Sequence, residues 1–248
     1  RSIYRAIRKL PPGHTLTVAA NGGSRLAEYW HPRLCAPPEQ SRASIEELAA
    51  ELRERLLEAV RLRMISDVPL GAFLSGGIDS SIVVGLMSRL SSRPVKTFSI
   101  GFEGDPNDES PYARAVAAHC GTDHVHEIVK PDVVDILPRL VRHYDEPFAD
   151  NSMIPTYYVS VMARKAVTVA LSGDGGDEVF AGYQWYRRAY RHRRLQAFIP
   201  RPIRPAVACL ARAFPPDSTV HRYLGVVDRP PTCWGLAQEY FDRSRRAR

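Results

Sequence analysis

Apolar residues recur at three- and four-residue intervals from Ile45 through Leu48, Leu52 and Leu56 to Val60, the spacing of one helix face. Ser44 followed by Glu47 is the capping box that starts such a helix, so the pattern predicts a helix over 45–63 with an apolar stripe that must pack on something. Downstream, the spacing alternates between apolar runs and helical segments. It predicts strands at 70–74, 95–102, 124–129 and 167–171, and helices at 80–90, 111–120, 132–144 and 155–165. Ser110-Pro111 is a good helix start, Gly121 a good stop, and Pro138 is placed to kink the helix containing it. Short strands separated by helices predict an α/β fold, a mostly parallel sheet with helices on both faces. Ligands collect in such sheets where loops leave the carboxyl ends of the strands.

The first 30 residues differ in character. They read as short β pieces, with hairpin chemistry at Asn21-Gly22-Gly23, and are too few to make a core alone. A proline-rich stretch from His31 to Gln40 follows, which reads as a linker. The expected organisation is therefore a β remnant of a preceding domain over 1–32, a linker over 33–43, and the main domain over 44–248. The opening at Arg1 fits a piece of something longer.

Composition excludes several classes. A chain of 248 residues with 44% hydrophobic and 25% charged content is neither disordered, collagen-like nor coiled coil. No apolar run approaches a membrane span and no signal pattern opens the chain, so membrane association is not expected. The net charge of +7 invites a nucleic-acid reading, but residues 184–248 hold 14 Arg against 4 acidic residues, and the remainder is slightly acidic. A basic surplus confined to one tail is better read as a solvated helical face or a covered surface than as a nucleic-acid interface. Cys35, Cys120, Cys209 and Cys233 match neither a disulfide framework nor a zinc spacing, which leaves reduced thiols in a cytoplasmic protein. His119, Cys120, Asp123, His124 and His126 straddle a helix end and a strand with no ligand spacing, so they are not read as a metal site.

Two loops carry the chemistry. Leu74-Ser75-Gly76-Gly77-Ile78-Asp79-Ser80-Ser81 joins a predicted strand to a predicted helix, where free amides and the helix dipole favour an anion. Gly76 and Gly77 allow close backbone approach, and Ser75, Ser80 and Ser81 add hydroxyl donors, so pyrophosphate is the natural guest. Asp79 would repel a bare phosphate and makes sense beside one only if it binds the Mg²⁺ that travels with ATP. A plain Gly-Gly turn with Asp79 or Ser80 as the helix cap is the alternative. The second loop, Ser172-Gly173-Asp174-Gly175-Gly176-Asp177-Glu178, follows the last predicted strand. Gathering three carboxylates is costly unless a cation or a reacting amine shares their field. Here the alternative is an acidic turn capping a helix with Asp177 and Glu178.

The first loop lacks the Gly-Lys-Ser/Thr of Walker A and resembles the PP-loop of the ATP pyrophosphatases, which cut ATP between its α and β phosphates. Taken with the second loop and with Leu10–His14, Ser66–Pro69 and His143–Phe148, the chain through about residue 190 resembles the glutamine-dependent asparagine synthetases. The resemblance implies a synthetase domain that adenylates the aspartate side chain and passes it to ammonia, with ATP and Mg²⁺ as cofactors. It also implies a glutaminase domain in the same chain, of which 1–30 would be the last strands; the nucleophilic cysteine would lie upstream, so this segment alone is not expected to hydrolyse glutamine. By the same resemblance Asp79 and Asp177 hold the metals, and Asp174 serves formation of the acyl-adenylate and its encounter with ammonia. Leu74 and Ile100 border the adenosine through their backbones, with Ser172 and Gly173 nearby; ordinary core positions are the alternative for Leu74 and Ile100. The family's downstream pyrophosphate lysine has no counterpart, since no lysine follows Lys165. A homodimer is compatible with this resemblance. Relatives that amidate or cyclise other carboxylates, such as β-lactam synthetases and lasso-peptide maturation enzymes, share both loops and stay open.

Overall fold

The structure is a computed structural model that describes residues 4–32, 43–104, 108–130, 132–145, 148, 150, 152–215, 218–231 and 233. Most of the linker expected at 33–43, together with Cys35, lies outside the described residues. Contacts divide the chain into two compact units, 1–172 and 173–248.

The first unit opens with an antiparallel hairpin, β1 (His14–Val18) and β2 (Ser24–Glu28), paired from His14↔Glu28 to Val18↔Ser24. The turn falls where Asn21-Gly22-Gly23 predicts it, with Gly22 at φ +82° and the Asn21 side chain accepting from the Gly23 amide. Next comes α1 (Ile45–Arg63), which begins on the reciprocal Ser44–Glu47 capping box.

The core of this unit is a parallel sheet of β3 (Leu70–Phe73), β4 (Lys96–Phe102), β5 (Asp123–Val129) and β6 (Val169–Leu171), in the order β5-β4-β3-β6. The connecting helices are α2 (Ile78–Leu90), α3 (Ser110–Cys120), α4 (Val133–Tyr144) and α5 (Met153–Arg164). Helix α4 runs through Pro138. Strand alternation sends residues to two cores. Ala72 and Leu74 face a cluster with Val84 and Met87 of α2, Ala113 and Ala117 of α3, and Val60 of α1. Phe98, with Phe73 and Ile100 packed beside it, meets Met162 and Ala163 of α5. Both faces are thus covered, as the apolar runs require. From β3 the chain winds outward to β4 and β5, then returns to place β6 on the other side of β3, so the strand order reverses at the β3–β6 pair. Such a reversal opens a crevice at the carboxyl ends, and the loop after β3 leaves from it.

The second unit holds α6 (Gly176–Phe180), α7 (Gln184–Phe198), α8 (Arg204–Leu210) and α9 (Thr219–Leu224). On α7, Arg187, Arg188, Arg191, Arg193 and Arg194 are exposed. Arg204 instead holds chain ends together, donating to the carbonyls of Ile199 (3.0 Å) and Gln196 (2.6 Å) at the end of α7. Among the described residues no helix is long and apolar enough to cross a membrane.

Candidate functional site: the loop after β3 and the acidic turn after β6

Strand β3 delivers Leu74, 1% exposed, to the mouth of the sheet, where its amide donates to the Phe98 carbonyl (2.9 Å). The chain then turns at Gly76, φ +87°. A Cβ there would lie 2.5 Å from the Ala113 amide nitrogen and 2.6 Å from the Tyr112 Cβ, so the turn sits hard against the first turn of α3 and only glycine fits. Gly77 is the N-cap of α2, with no side chain bonded to the helix amides. The alternative in which Asp79 or Ser80 caps the helix fails for this reason, since α2 begins at Ile78 and both residues already lie in its first turn. An uncapped helix start bearing the positive end of the dipole is suited to an anion.

The hydroxyls of the loop brace one another. Ser75 Oγ lies 2.9 Å from Ser80 Oγ and accepts from the Gly77 amide (3.2 Å), while the Ser81 hydroxyl donates to the Gly77 carbonyl (2.7 Å). Ser80 is buried, whereas Ser75 is exposed and Asp79 half-buried. Beside this turn opens a cavity of about 380 Å³ whose wall includes Leu74, Ser75, Ile100, Ser110 and Thr156. The structure therefore gathers three of the sequence-predicted residues, Leu74, Ser75 and Ile100, around one hollow. Leu74 and Ile100 are core and lining together, since Leu74 belongs to the cluster with α2 and α3, Ile100 packs on the cluster with α5, and both border the hollow. Ser172 and Gly173 follow directly on β6, whose Leu171 pairs in register with Ala72 of β3.

Several lining residues carry no sequence signal, Ser99, Ser110 and Thr156 among them, because a hydroxyl in a strand or at a helix start reads as ordinary. Ser99 ends a polar track across β4 and β5. We assign the order of the track from Thr122, whose Oγ1 donates to the Ala117 carbonyl (3.5 Å) and on that assignment accepts from Thr97 Oγ1 (2.8 Å). Burial, and then the neighbouring His126, holds the His124 imidazole below the usual histidine range, so near neutral pH it is uncharged. It then donates from Nδ1 to Thr97 (2.9 Å) and accepts at Nε2 from Ser99 (3.1 Å). Ser99, its one proton used, accepts from His126 Nδ1 (2.9 Å), which leaves His126 Nε2 buried with no partner. These two histidines are thus consumed by hydroxyls, and among the described residues no metal-holding cluster of three or more His, Cys, Asp or Glu exists. We expect both rings to carry the proton on Nδ1; long-range ¹⁵N NMR showing His124 protonated on Nε2 would reverse the assigned order of the track.

Where the track meets α3, Asp108 Oδ1 accepts from the Ser110 amide (3.0 Å) and from the Ser110 hydroxyl. These bonds, the hydroxyl first, hold the Asp108 carboxyl below the usual range, so their contribution is complete above that range and fades as pH falls through the depressed value. The pair fixes the start of α3, against which Gly76 rests.

The acidic turn belongs to the second unit. Gly175, φ +91°, is the N-cap of α6, again without a side-chain cap. Asp174 is exposed and Asp177 half-buried in the first turn of α6. The helix ends in the left-handed Ala181, φ +57°, and the Gly182 amide returns to the Asp177 carbonyl (3.0 Å). The Asp177 carboxylate lies over Gly182 so closely that a Cβ there would stand 1.8 Å from Oδ1. Glu178 takes a different part, accepting from the Tyr183 hydroxyl at 2.7 Å; that bond, with a smaller contribution from burial, pushes the phenol up to about 12. The sequence treats the three carboxylates alike, but the fold sets Glu178 apart by using it to tie down the start of α7 through the Tyr183 hydroxyl.

Comparison with known proteins follows the same lines. Residues 51–240 match the family model described as asparagine synthase. A Methanocaldococcus jannaschii protein named as a candidate glutamine-hydrolysing asparagine synthetase is 51% identical over 148 residues, 59% of this chain and 28% of that protein. The glutamine-hydrolysing asparagine synthetase 1 of Bacillus subtilis is 38% identical over 182 residues, 73% of this chain and 28% of its own length. The amidase chyE of Penicillium rubens is 33% identical over 205 residues, 75% of this chain and 30% of that protein. The chain spans about 28% of the length of the first two relatives. With the family model covering well over half of its residues, and both glycine-rich loops inside the match, the chain belongs to the asparagine synthase family.

Proposed function

We propose that this chain is the synthetase portion of an enzyme that activates the side-chain carboxylate of aspartate with ATP and amidates it with ammonia drawn from glutamine. The observation that carries the reading is the turn at Gly76-Gly77, an uncapped helix start held against α3 beside a cavity bordered by Leu74 and Ile100. That arrangement suits a nucleotide whose base lies in the hollow and whose phosphates meet the amides of the turn.

A carboxylate does not accept ammonia directly, because oxide is a poor leaving group. The aspartate oxygen instead attacks the α-phosphorus of ATP, and the bond to the bridging oxygen breaks to release pyrophosphate. Ammonia then adds to the acyl carbon, loses a proton, and AMP departs. Amides of the Ser75–Ser81 turn stabilise charge on the departing pyrophosphate, the electrostatic assistance that dominates phosphoryl transfer. Asp79 and Asp177 supply hard oxygen donors suited to Mg²⁺, an ion that is commonly held by one or two carboxylates plus substrate phosphates. When bound, Mg²⁺ neutralises phosphate charge. Asp174 serves the acyl-adenylate and its meeting with ammonia. Ser172 and Gly173 lie near the adenosine, and a cytoplasmic location goes with the reading.

The test is exchange of labelled pyrophosphate into ATP, run on the whole protein with aspartate and a panel of other carboxylic acids. Exchange with aspartate alone supports the proposal, and its absence with every acid refutes it. Exchange with another acid supports the second reading, amidation or cyclisation of a different carboxylate. The likeness to an amidase at 33% identity favours keeping that reading.

Gly182→Ala tests Asp177 without altering a carboxylate. The new Cβ must displace Oδ1 and also lies 3.2 Å from the Asp177 Cα, so the side chain has to swing away. We expect the Mg²⁺ concentration for half-maximal exchange to rise about tenfold, roughly 1.4 kcal/mol, while folding changes little. An unchanged Mg²⁺ dependence would separate Asp177 from the metal.

A further inference from the structure

The first turn of α3 is a latch between β4 and the phosphate turn. Asp108 takes both the amide and the hydroxyl of Ser110 on Oδ1. Ser110 is 2% exposed, and the pair rests on Gly101 of β4, where a Cβ would stand 2.7 Å from Ser110 Oγ, 3.0 Å from Asp108 Oδ1 and 2.9 Å from Ile128 Cδ1. The missing side chain of Gly101 is thus the seat of the pair. From there the bonding runs on without a gap. The Glu109 carbonyl, between the two latch residues, accepts from the amides of Tyr112 (3.0 Å) and Ala113 (3.1 Å). Those are the residues that Gly76 rests on, since a Cβ added to it would meet the Ala113 nitrogen and the Tyr112 Cβ first.

The carboxylate is what secures this helix start. Glu109, the N-cap, makes no side-chain bond to the helix amides, and Pro111 has no amide to offer. A hydrogen bond onto an ionised carboxylate is roughly twice as strong as a neutral one. Asp108, Ser110, Gly101 and Ala113 also line the hollow beside the turn. One carboxylate therefore governs, through residues in contact, both a wall of that hollow and the seat of Gly76. Amides assist a departing anion only where they lie at the place its charge develops, and a displacement of about 1 Å can cost about 100-fold in rate.

We propose that Asp108 is a positioning residue of the reaction: through Ser110 it fixes the first turn of α3 on β4, and α3 then holds the Gly76-Gly77 amides where the departing pyrophosphate meets them. The inference rests on the activity proposed above and adds to it a residue that acts only through its neighbours.

The test is pyrophosphate exchange on the whole protein, with isothermal titration counting ATP sites so that a lower rate is not mistaken for a smaller folded fraction. Asp108→Ala should lower kcat about tenfold or more while the KM for ATP changes less than about twofold, because the amides act on charge that develops only as the bond breaks. Asp108→Asn, whose amide oxygen can still accept both Ser110 bonds, should keep kcat within about threefold of native. Gly101→Ala lifts the pair from β4 without changing either polar residue and should resemble Asp108→Ala. In a Gly76→Ala background the turn is already displaced, so Asp108→Ala should cost less than about twofold more. A KM that rises with kcat unchanged, or losses that multiply in the double variant, overturns the proposal. Protein labelled with ¹⁵N-glycine separates this inference from the activity. Asp108→Ala should shift the Gly76 and Gly77 amide signals and leave those of Gly22 in the hairpin and Gly85 on α2 in place. If the native protein exchanges pyrophosphate with no acid, the activity falls and these signals decide alone. Unmoved Gly76 and Gly77 signals overturn the positioning role whatever the activity.

Discussion

Gly76→Ala is expected to reduce pyrophosphate exchange by about 100-fold or more and to destabilise the protein by about 2–4 kcal/mol, combining left-handed strain with overpacking. Two independent penalties meet at this residue. Its φ of +87° is a conformation that L side chains rarely adopt, and the added methyl would stand 2.5 Å from the Ala113 amide nitrogen and 2.6 Å from the Tyr112 Cβ. Neither neighbour is a flexible side-chain end, so the turn itself has to move. A displacement of about 1 Å in a positioning element can cost about 100-fold in rate. Gly77→Ala is the internal control. Its φ of −67° is open to any residue, and among the described residues the nearest atom is Ser75 Oγ at 3.3 Å, so exchange should fall less than about fivefold and stability by under about 1 kcal/mol. If the two alanines behave alike, the close fit of the turn against α3 is irrelevant to the activity.

Asp79→Asn should abolish exchange while leaving the fold intact. The side chain sits in the first turn of α2, where a carboxylate gains about 0.3–1 kcal/mol from the helix dipole, so an isosteric amide costs no more than that in stability. Its effect on nucleotide binding should change sign with the metal. Without Mg²⁺, the carboxylate repels the phosphates, and the amide should bind ATP more tightly. With Mg²⁺, the amide loses its share of the ion, and ATP should bind more weakly. Isothermal titration of ATP with and without Mg²⁺ checks this directly. A substitution that shifts both affinities in the same direction would remove Asp79 from the metal and leave it a helix-terminus residue.

Much of this architecture was legible beforehand, because each clear signal reflects local physics. The capping box at Ser44 and Glu47 starts α1 where expected, since two reciprocal hydrogen bonds within four residues do not depend on the rest of the fold. The four strands appear within about two residues of their expected bounds because apolar runs of that length, cut by helical spacing, have little alternative to a buried parallel sheet. The expected start of α2 was two residues late because Gly77, which closes the turn, has no side chain to announce a cap.

Other features had no local signal. Ser99 and His124 read as unremarkable strand residues until the β4–β5 register sets them side by side, since that pairing is between residues distant in the chain. Glu178 reads as a third member of an acidic cluster until Tyr183 folds back onto it. The stripe of α1 reads as a simple amphipathic helix in sequence, and only packing reveals that Val60, with Leu56 and Leu57, finds the core while Ile45 stays exposed. The sequence by itself determined the fold class, the two loops, their chemical character and their family, because these rest on residue type and short-range spacing. Only the tertiary structure decided that Gly76 admits no side chain, that Leu74 and Ile100 line one cavity, and that Asp108 and Ser110 settle on Gly101, because those facts depend on which distant atoms arrive at the same place.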